Sequence, residues 1–170
     1  MLKMHKKAQI FSTDLIISAA IFMILISFVF FTFSRYQTKI DDSIRIQDMN
    51  LKALQITELL VKSSGEPVNW EENVSKLNIA GLVSSDRRLL ERKITEFIEL
   101  EYNTTKEKLK IMPYEFYFAL KEINGGVAKI NGEEAEKGIK PNLTSKNVLT
   151  IKRMVLYGQN EKIIEFTIWE

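Results

Sequence analysis

The distribution of charges divides this chain into an apolar N-terminal segment and a mixed remainder. Residues 15–34 are twenty consecutive positions without a charge, whereas from Arg35 onward charged residues recur every few positions. Thirteen of the twenty are Leu, Ile, Phe or Val, a content that favours insertion into a bilayer by about 4 to 8 kcal/mol. Twenty helical residues also span a hydrocarbon core of about 30 Å. The pattern predicts one transmembrane helix over residues 15–34.

Two other kinds of segment are apolar over a comparable length, the buried core helix and the secretory signal peptide. A core helix keeps one polar stripe, but Ser18, Ser27 and Thr32 are scattered around this one. A signal peptide has an apolar region of about 7 to 15 residues followed by small residues, whereas this segment is longer and ends in a Phe-rich sequence. A retained membrane helix fits the pattern better than either.

The charges on either side of the apolar segment predict its orientation. Lys3, Lys6 and Lys7 precede it without an acidic residue among them, whereas Arg35 and Lys39 on the other side are soon followed by Asp41 and Asp42. Because basic residues are retained on the cytoplasmic side, we expect a single-pass protein of the cell membrane with a cytoplasmic N-terminus and an external C-terminal domain. The chain has no cysteine, so that domain must be stable without disulfide bonds.

The helix is predicted to continue beyond the membrane. Residues 36–62 contain neither Gly nor Pro, and apolar residues recur with helical spacing on one side of the segment. This predicted stripe consists of Ile40, Ile44, Leu51, Leu54 and Val61. Gly65 and Pro67 then end the helix, which covers residues 9–64. Such a stripe can face either the chain's own domain or neighbouring helices, and the sequence does not distinguish the two.

Residues 65–170 are predicted to form a small external domain that begins with short helices. Asn69 is placed to cap one that starts at the following residue, and Ser85 to cap a longer one. The apolar residues of the longer helix share a face; they are Leu90, Ile94, Phe97 and Ile98. Thr104 opens a further short turn that ends at Ile111.

After Pro113 the hydrophobic period changes from that of a helix to that of a strand. Apolar and more polar residues alternate over residues 114–121, which gives the strand one apolar face. The Asn-Gly-Gly sequence at residues 124–126 is a hairpin-turn signal. It leads into a predicted second strand over residues 127–130.

The remainder of the domain is predicted to contain a loop and a second hairpin. Residues 131–141 are polar and rich in Gly, Glu and Lys, which favours an exposed loop. The last two strands are predicted over residues 148–157 and 162–169, as an antiparallel pair. The predicted fold class is therefore α+β, with a long N-terminal helix followed by a small domain of short helices and an antiparallel sheet.

The start of the chain combines a short basic leader with an acidic residue at the edge of the apolar helix. The residues of this junction are Lys6, Lys7, Ala8, Gln9, Ser12 and Asp14. The junction resembles the class III signal peptide of archaeal type IV pilin-like proteins, and the resemblance covers the leader and the long helix. It implies that a membrane-embedded prepilin peptidase removes residues 1–8 on the cytoplasmic side and leaves the apolar helix on the mature protein.

The cleavage bond implied by this resemblance has two candidates. A cut after Ala8 makes Gln9 the first mature residue and Asp14 the sixth, whereas the family usually has Glu at the fifth position. A cut after Gln9 makes Asp14 the fifth residue but leaves Ile10 first. The basic-small-Gln junction favours the cut after Ala8.

The resemblance also implies that Asp14 acts in assembly. A carboxylate at the edge of a lipid-facing helix is costly without a partner, and the α-amino group of a neighbouring mature subunit can supply one. The alternative is that Asp14 is only a favourable negative charge at a helix N-terminus.

Two functions follow from these two interpretations. The first is a structural, pilin-like subunit, major or minor, of a type IV pilus-like filament at the archaeal cell surface or of a membrane-anchored assembly, with cell adhesion among its roles. Its partners are then the membrane, the prepilin peptidase and other pilin-like subunits contacted through the N-terminal helix. The second is a single-pass, membrane-anchored external binding module that does not polymerise.

Residues that could carry catalysis or hold a metal ion are scarce. The one histidine, His5, lies in the leader and cysteine is absent, which excludes the usual nucleophile and zinc arrangements, those that need His or Cys. The acidic pairs Glu71-Glu72 and Glu133-Glu134 are expected to be solvated. We therefore expect no enzyme activity, no catalytic residue, no metal site and no cofactor.

The charge of the chain does not predict a nucleic-acid partner. Arg87 and Arg88 begin a basic cluster, but Glu91 interrupts it. The formal net charge of +2 becomes −1 without the three leader lysines. A nucleic-acid-binding domain is usually strongly basic, so we expect no such partner.

Three Asn-X-Ser/Thr motifs occur in the predicted external domain. Their asparagines are Asn73, Asn103 and Asn142. Each is a candidate N-glycosylation site of an external protein.

Overall fold

The computed structural model describes the backbone of residues 4–170 and the side chains of residues 13–37 and 39–170. Its first element is one continuous helix, α1 (Met4–Lys62). The long helix and its end shortly before Gly65 are thus confirmed. The chain divides into two compact units, the first ending at Arg45 and the second covering Ile46–Glu170.

The described part of the first unit is helical. Most of its large apolar side chains over residues 15–33 are exposed in the single chain, by 53% or more. The hydroxyls of Ser27 and Thr32 donate to the carbonyl oxygens of Met23 and Phe28, each at 2.8 Å. Neither hydroxyl therefore leaves an unpaired donor in apolar surroundings. By length and composition this helix can cross a membrane.

The second unit combines a mixed sheet with short helices. Its strands are β1 (Val83–Ser85), β2 (Arg88–Leu89), β3 (Glu115–Glu122), β4 (Lys129–Ile130), β5 (Glu133–Glu134), β6 (Glu136–Gly138), β7 (Leu149–Tyr157) and β8 (Asn160–Trp169). Its helices are α2 (Glu91–Glu99) and α3 (Tyr102–Lys108), with 3₁₀ turns at Trp70–Glu72 and Val74–Lys76.

The main sheet has six strands in the order β1-β2-β7-β8-β3-β6. The pair β2 and β7 is parallel and the other pairs are antiparallel. β4 and β5 form a separate two-stranded hairpin. The predicted α+β fold class is confirmed, with one parallel pair in an otherwise antiparallel sheet.

One hydrophobic core joins the second half of α1 to the sheet. The buried core residues of α1 follow helical spacing; they include Met49, Ala53, Ile56 and Leu60. They share a cluster with residues of the central strands, which include Phe116, Phe118, Ile164, Phe166 and Ile168. Fully burying a Leu, Ile or Met side chain contributes about 1.5 to 3 kcal/mol. This part of α1 is therefore an integral layer of the domain.

The predicted strands at the end of the chain are confirmed. β7 pairs with β8 over its whole length around the turn at residues 158–159, and β8 also pairs with β3.

The alternating pattern of β3 predicts one apolar face, but Tyr117 and Ala119 on its other face are also buried, in a small cluster with Trp169. Both faces of the sheet are thus covered at this point.

Ser85 does not cap a helix, and this prediction is wrong. It lies in β1, which turns back into β2 with Arg87 at a φ of 56°. α2 begins only afterwards, at Glu91. The buried residues Val83 and Leu89 pair across the hairpin, and burial of two apolar side chains outweighs one capping hydrogen bond.

The other two predicted helix starts are capped differently. A 3₁₀ turn follows Asn69 as predicted, but the Asn69 amide donates to Oε2 of Glu72 at 2.8 Å instead of capping the backbone. α3 begins ahead of Thr104, because the Glu101 carboxylate accepts the backbone N–H groups of Asn103 and Thr104. These bonds also lower the pKa of Glu101.

Residues 131–141 are not an exposed loop, and this prediction is wrong. They contain β5 and β6, and the turn from β4 to β5 has Asn131 and Gly132 at φ values of 53° and 91°. Ala135 and Lys137 are buried. Asn-Gly is a strong hairpin signal, but the flanking strands are only two residues long, too short to show an alternating pattern.

Candidate assembly surface and ligand cleft

The residues of the predicted processing site lie outside the part of the chain whose side chains the structure describes. They are Lys6, Lys7, Ala8 and Gln9. Their role in cleavage stays a prediction. Asp14 is described, and its side chain is exposed on α1 in the single chain.

The predicted apolar stripe of α1 is mostly exposed. Of its members only Val61 is buried, at 3% exposure. The other four are exposed by 45–59%; they are Ile40, Ile44, Leu51 and Leu54, and they are called the α1 stripe below. The residues that dock α1 on the sheet are different ones, so the sequence pattern identified the free side of the helix rather than the docked side.

The docked and free sides of α1 can be compared within the second unit. At 100° per residue, the mean direction of Leu51 and Leu54 lies about 160° around the helix from that of the core residues between Met49 and Leu60. The core side is filled by the chain's own domain. The side that carries Leu51 and Leu54 is left open to solvent.

The open side ends at a charged residue. Oε1 of Glu58 lies 2.5 Å from Nζ of Lys62, and its Oε2 lies 3.9 Å from the guanidinium of Arg153. The hydrogen bond from Lys62 is the main cause of a lowered pKa of Glu58. The ionised Glu58 carboxylate therefore ends the open side toward the C-terminal end of α1.

Several polar contacts fix α1 on the domain. At the end of α1 the backbone N–H of Leu82 donates to the carbonyl of Leu60 at 3.1 Å, and that of Arg87 donates to the carbonyl of Val61 at 2.9 Å. The β1–β2 hairpin thus satisfies carbonyl groups that a helix end leaves open. The direction in which α1 presents its free side is therefore set by backbone bonds as well as by packing.

A cleft of about 420 Å³ lies between α1, the segment at residues 78–80 and the end of α3. Its lining combines apolar residues with three lysines; it consists of Lys52, Gln55, Ile56, Leu59, Asn78, Ile79, Ala80, Lys108, Leu109 and Lys110. No acidic residue lines it. Lys52 is engaged by Asp48 at 3.1 Å and by the carbonyl of Met112 at 3.0 Å.

The other two lysines of the cleft are available to a ligand. Neither Lys108 nor Lys110 forms an ion pair with any residue that the structure describes. An apolar floor with cationic groups at its margin suits a ligand with an apolar part and an anionic group. This cleft could not be predicted from the sequence, because Lys52 and Lys108 are far apart in the chain and line the same cleft only through the packing of α1.

The buried ammonium group of Lys93 is held by hydrogen bonds within the domain. Its Nζ donates to the carbonyl oxygens of Ser64 and Val68 at 2.5 and 2.6 Å and lies 3.7 Å from Oε2 of Glu71. Burial lowers the pKa of Lys93. The Glu71 side chain is only 8% exposed, so the prediction that Glu71 is solvated is wrong. The lysine ties the segment after α1 to α2.

The buried ammonium group of Lys137 is held in a similar way. Its Nζ donates to the carbonyl of Ile98 at 2.9 Å and to the carbonyl of Leu100, at the end of α2. Burial lowers the pKa of Lys137 to about 8. A lysine with such a pKa can act as a nucleophile, but this one is held by helix-end carbonyls, which favour a cation.

Two buried or half-buried tyrosines of the domain donate hydrogen bonds to acidic residues. The hydroxyl of Tyr102 donates to Glu115 at 2.5 Å, and Lys106 binds the same carboxylate at 2.8 Å. Tyr117 and Glu136 form a similar pair at 2.5 Å. Among the residues that the structure describes, no group of three His, Cys, Asp or Glu side chains is placed to hold a metal ion.

The asparagines of the three glycosylation motifs lie in different settings. Asn73 is between the two 3₁₀ turns, Asn103 is in the first turn of α3, and Asn142 is in the connection between β6 and β7. All three residues are exposed. The settings differ in whether the hydroxyl of each motif is accessible.

Comparison with known proteins gives no match. No family model matches the sequence, and neither a curated protein nor a solved structure matches it. The function must therefore be inferred from the chain's own residues.

Proposed function

We propose that this chain is a membrane-anchored, pilin-like structural subunit that associates with neighbouring subunits through the exposed side of α1. The observation that carries the proposal is the α1 stripe. Exposed apolar side chains on the side of a helix that faces away from its own domain usually mark an interaction site. Within the second unit these are Leu51 and Leu54.

The energetics of the α1 stripe suit lateral association. Each of its four side chains is about half exposed, so covering one contributes on the order of 1 kcal/mol. One such contact is weak, but a subunit held in a membrane next to many copies gains from repeated contacts and a high effective concentration. The stripe therefore favours an array of subunits over an isolated pair.

The N-terminal features support the same function. The apolar part of α1 has the length and composition of a membrane anchor, and the basic leader favours an external domain. The resemblance of the leader to a class III signal peptide adds processing by a prepilin peptidase. In the processed subunit the new α-amino group is the partner that Asp14 of a neighbour requires.

Incorporation of a stripe variant into filaments tests the proposal. We expect the double variant Leu51→Glu, Leu54→Glu to insert into membranes normally, because both residues are exposed. Its amount in sheared surface filaments, relative to its amount in membranes, should fall about tenfold or more, since about 1.4 kcal/mol of lost contact suffices for a factor of ten. Electron microscopy with an antibody against this chain identifies the filaments.

Ile123→Glu is the matched control, because Ile123 is exposed by 55% and lies outside α1. It makes the same chemical change at an equally exposed apolar residue, so it should leave incorporation unchanged. Equal incorporation of the stripe variant and the wild type would contradict a role of the stripe in assembly.

The second candidate function is an anchored binding module that does not polymerise, and the lysine-lined cleft favours it. An anionic ligand that contacts Lys108 and Lys110 should lose affinity when both are changed to Glu, while the amount of the chain in membranes stays unchanged. Absence of this chain from all surface filaments, together with a normal amount in membranes, would favour this second function.

A further inference from the structure

We propose that the folded domain is N-glycosylated at Asn142 and not at Asn103. The inference rests on the external position of the domain in the proposed function, because glycosyl transfer to asparagine takes place outside the cytoplasm. It goes beyond that function in naming which of the three motifs is modified and why.

Asn103 belongs to a motif whose hydroxyl is hidden in the folded protein. Thr105 supplies that hydroxyl, and its side chain is buried at 1% exposure. Its Oγ1 donates to the carbonyl of Glu101 at 2.9 Å. The backbone N–H of Asn103 in turn donates to the Glu101 carboxylate at 2.9 Å. A transferase that must contact both the amide and the hydroxyl would have to unwind α3 first.

Asn142 presents both groups of its motif on an exposed connection between strands. Thr144 and Asn142 are exposed, and Leu143 between them is fully exposed. The Thr144 hydroxyl donates to Oδ1 of Asn142 at 2.6 Å, and the Thr144 N–H donates to the same oxygen at 2.9 Å. Nδ2 of Asn142 donates to no residue that the structure describes. The hydroxyl is therefore beside the amide, and the reacting nitrogen is free.

Asn73 is an intermediate case. Ser75 is exposed, so the hydroxyl of this motif is accessible. The backbone of Asn73 is less accessible than this hydroxyl. The N–H of Asn73 donates to the carbonyl of the buried Trp70 at 3.1 Å, and the carbonyl of Asn73 accepts from the N–H of Lys76 at 3.0 Å. Binding in an extended conformation would break both 3₁₀ turns. Ser145 forms comparable bonds with the backbone N–H and carbonyl of Asn142, so backbone bonding does not rank these two motifs.

The reaction requires a second substrate, a lipid-phosphate-linked oligosaccharide, and an external transferase. Nδ2 of Asn142 forms a bond to the anomeric carbon of the sugar while the bond from that carbon to the phosphate oxygen breaks. The lipid phosphate leaves with the electron pair, and the proton lost from Nδ2 passes to a base of the transferase. No oxidant or reductant is needed.

Glycopeptide mapping of the intact protein from the membranes of its native cells tests the inference. Mass spectrometry should find the peptide with Asn142 carrying a glycan at an occupancy at least tenfold above that of the peptide with Asn103. Asn142→Gln should lower the intact mass by one glycan, whereas the matched change Asn103→Gln, at another exposed asparagine, should leave the glycan mass unchanged. An unmodified Asn142, or a glycan on Asn103, would overturn the inference.

Protease treatment of intact cells separates this inference from the proposed function. Cleavage of the domain by added protease shows that it is external, and an unmodified Asn142 in such a domain overturns the glycosylation inference alone. A domain that is protected from protease and unmodified overturns both the inference and the external position.

Discussion

Tyr114 and Asp48 join the sheet layer to α1 through a direct hydrogen bond, in which the Tyr114 hydroxyl donates to Oδ2 of Asp48 at 3.0 Å. Lys52, one turn further along α1, binds the same carboxylate and lies 5.1 Å above the Tyr114 ring. The three side chains thus fix the entry of α1 into the domain. The domain boundary relevant to folding therefore lies before Asp48 and not after the end of the helix.

Truncation should reveal this boundary. A fragment starting at Arg35 should be soluble and fold cooperatively, because the apolar segment at residues 15–34 is absent and the core is complete. A fragment starting at Pro67 should not fold, because it lacks the four large apolar side chains of α1 that are buried in the core, those of Met49, Ile56, Leu60 and Val61. Each contributes about 1.5 to 3 kcal/mol, a sum comparable with the whole stability of a domain. Circular dichroism and urea unfolding provide the measurement. Equal stability of the two fragments would show that α1 does not complete the core.

Removing the Tyr114 hydroxyl should destabilise the fragment that starts at Arg35. Tyr114→Phe keeps the buried ring and deletes the bond to Asp48, so we expect the free energy of unfolding to fall by about 1 to 2 kcal/mol. Tyr36→Phe is the matched control, since Tyr36 is 65% exposed. Urea unfolding should give the control the midpoint of the wild type, and a Tyr114→Phe midpoint that is also unchanged would contradict the role of this bond.

The long helix and the final hairpin could be predicted because their patterns extend over many residues. α1 contains neither Gly nor Pro over residues 36–62, and β7 and β8 are long strands around a two-residue turn. The docked side of α1 could not be predicted. It includes Ala53 and the buried Thr57, which carry little hydrophobic signal, whereas the larger Leu51 and Leu54 point away from the core.

The elements that the sequence did not reveal depend on contacts between distant residues. β5 and β6 are too short to show a period; β5 pairs with β4, and β6 pairs with the distant β3. The cleft needs Lys52 and Lys108 to meet across two elements. The glycosylation motifs could be found from the sequence, but the burial of Thr105 could not.

Alkaline pH should destabilise the domain through its buried tyrosines. Burial, followed by the hydrogen bond to Glu136, raises the pKa of Tyr117 to about 12, compared with about 10 in an unfolded chain. Because the folded-state pKa is raised, this stabilisation is fully present below about pH 10 and is lost as the pH rises toward about 12.

The effect can be measured by urea unfolding of the fragment that starts at Arg35, at pH values between about 9 and about 11.5. Tyr117→Phe should remove on the order of 2 kcal/mol of the alkaline loss, and a smaller slope with pH should remain because the pKa of Tyr102 is also about 12. A slope identical to that of the wild type would show that Tyr117 ionises as easily in the folded domain as in the unfolded chain.

Asp14 distinguishes a filament subunit from a simple anchor. If its carboxylate pairs with the α-amino group of a neighbour, Asp14→Ala should leave membrane insertion intact, because removal of a charge only makes the helix more apolar. Assembly should fail, since leaving the neighbour's ammonium unpaired in poorly hydrated surroundings costs on the order of 3 to 5 kcal/mol. Asp14→Glu should retain much of the assembly because the charge is preserved.

The measurement for Asp14 is the amount of each variant in purified filaments relative to its amount in membranes, with wild type present as a competitor. At 3 kcal/mol the ratio for Asp14→Ala should fall by roughly a hundredfold. Asp42→Ala is the matched control, because Asp42 is an exposed acidic residue of α1 outside the apolar segment, and it should be incorporated like the wild type. Equal ratios for Asp14→Ala and wild type would mean that Asp14 only adds a favourable charge to the helix end, and the anchored binding module would then be the better account of this chain.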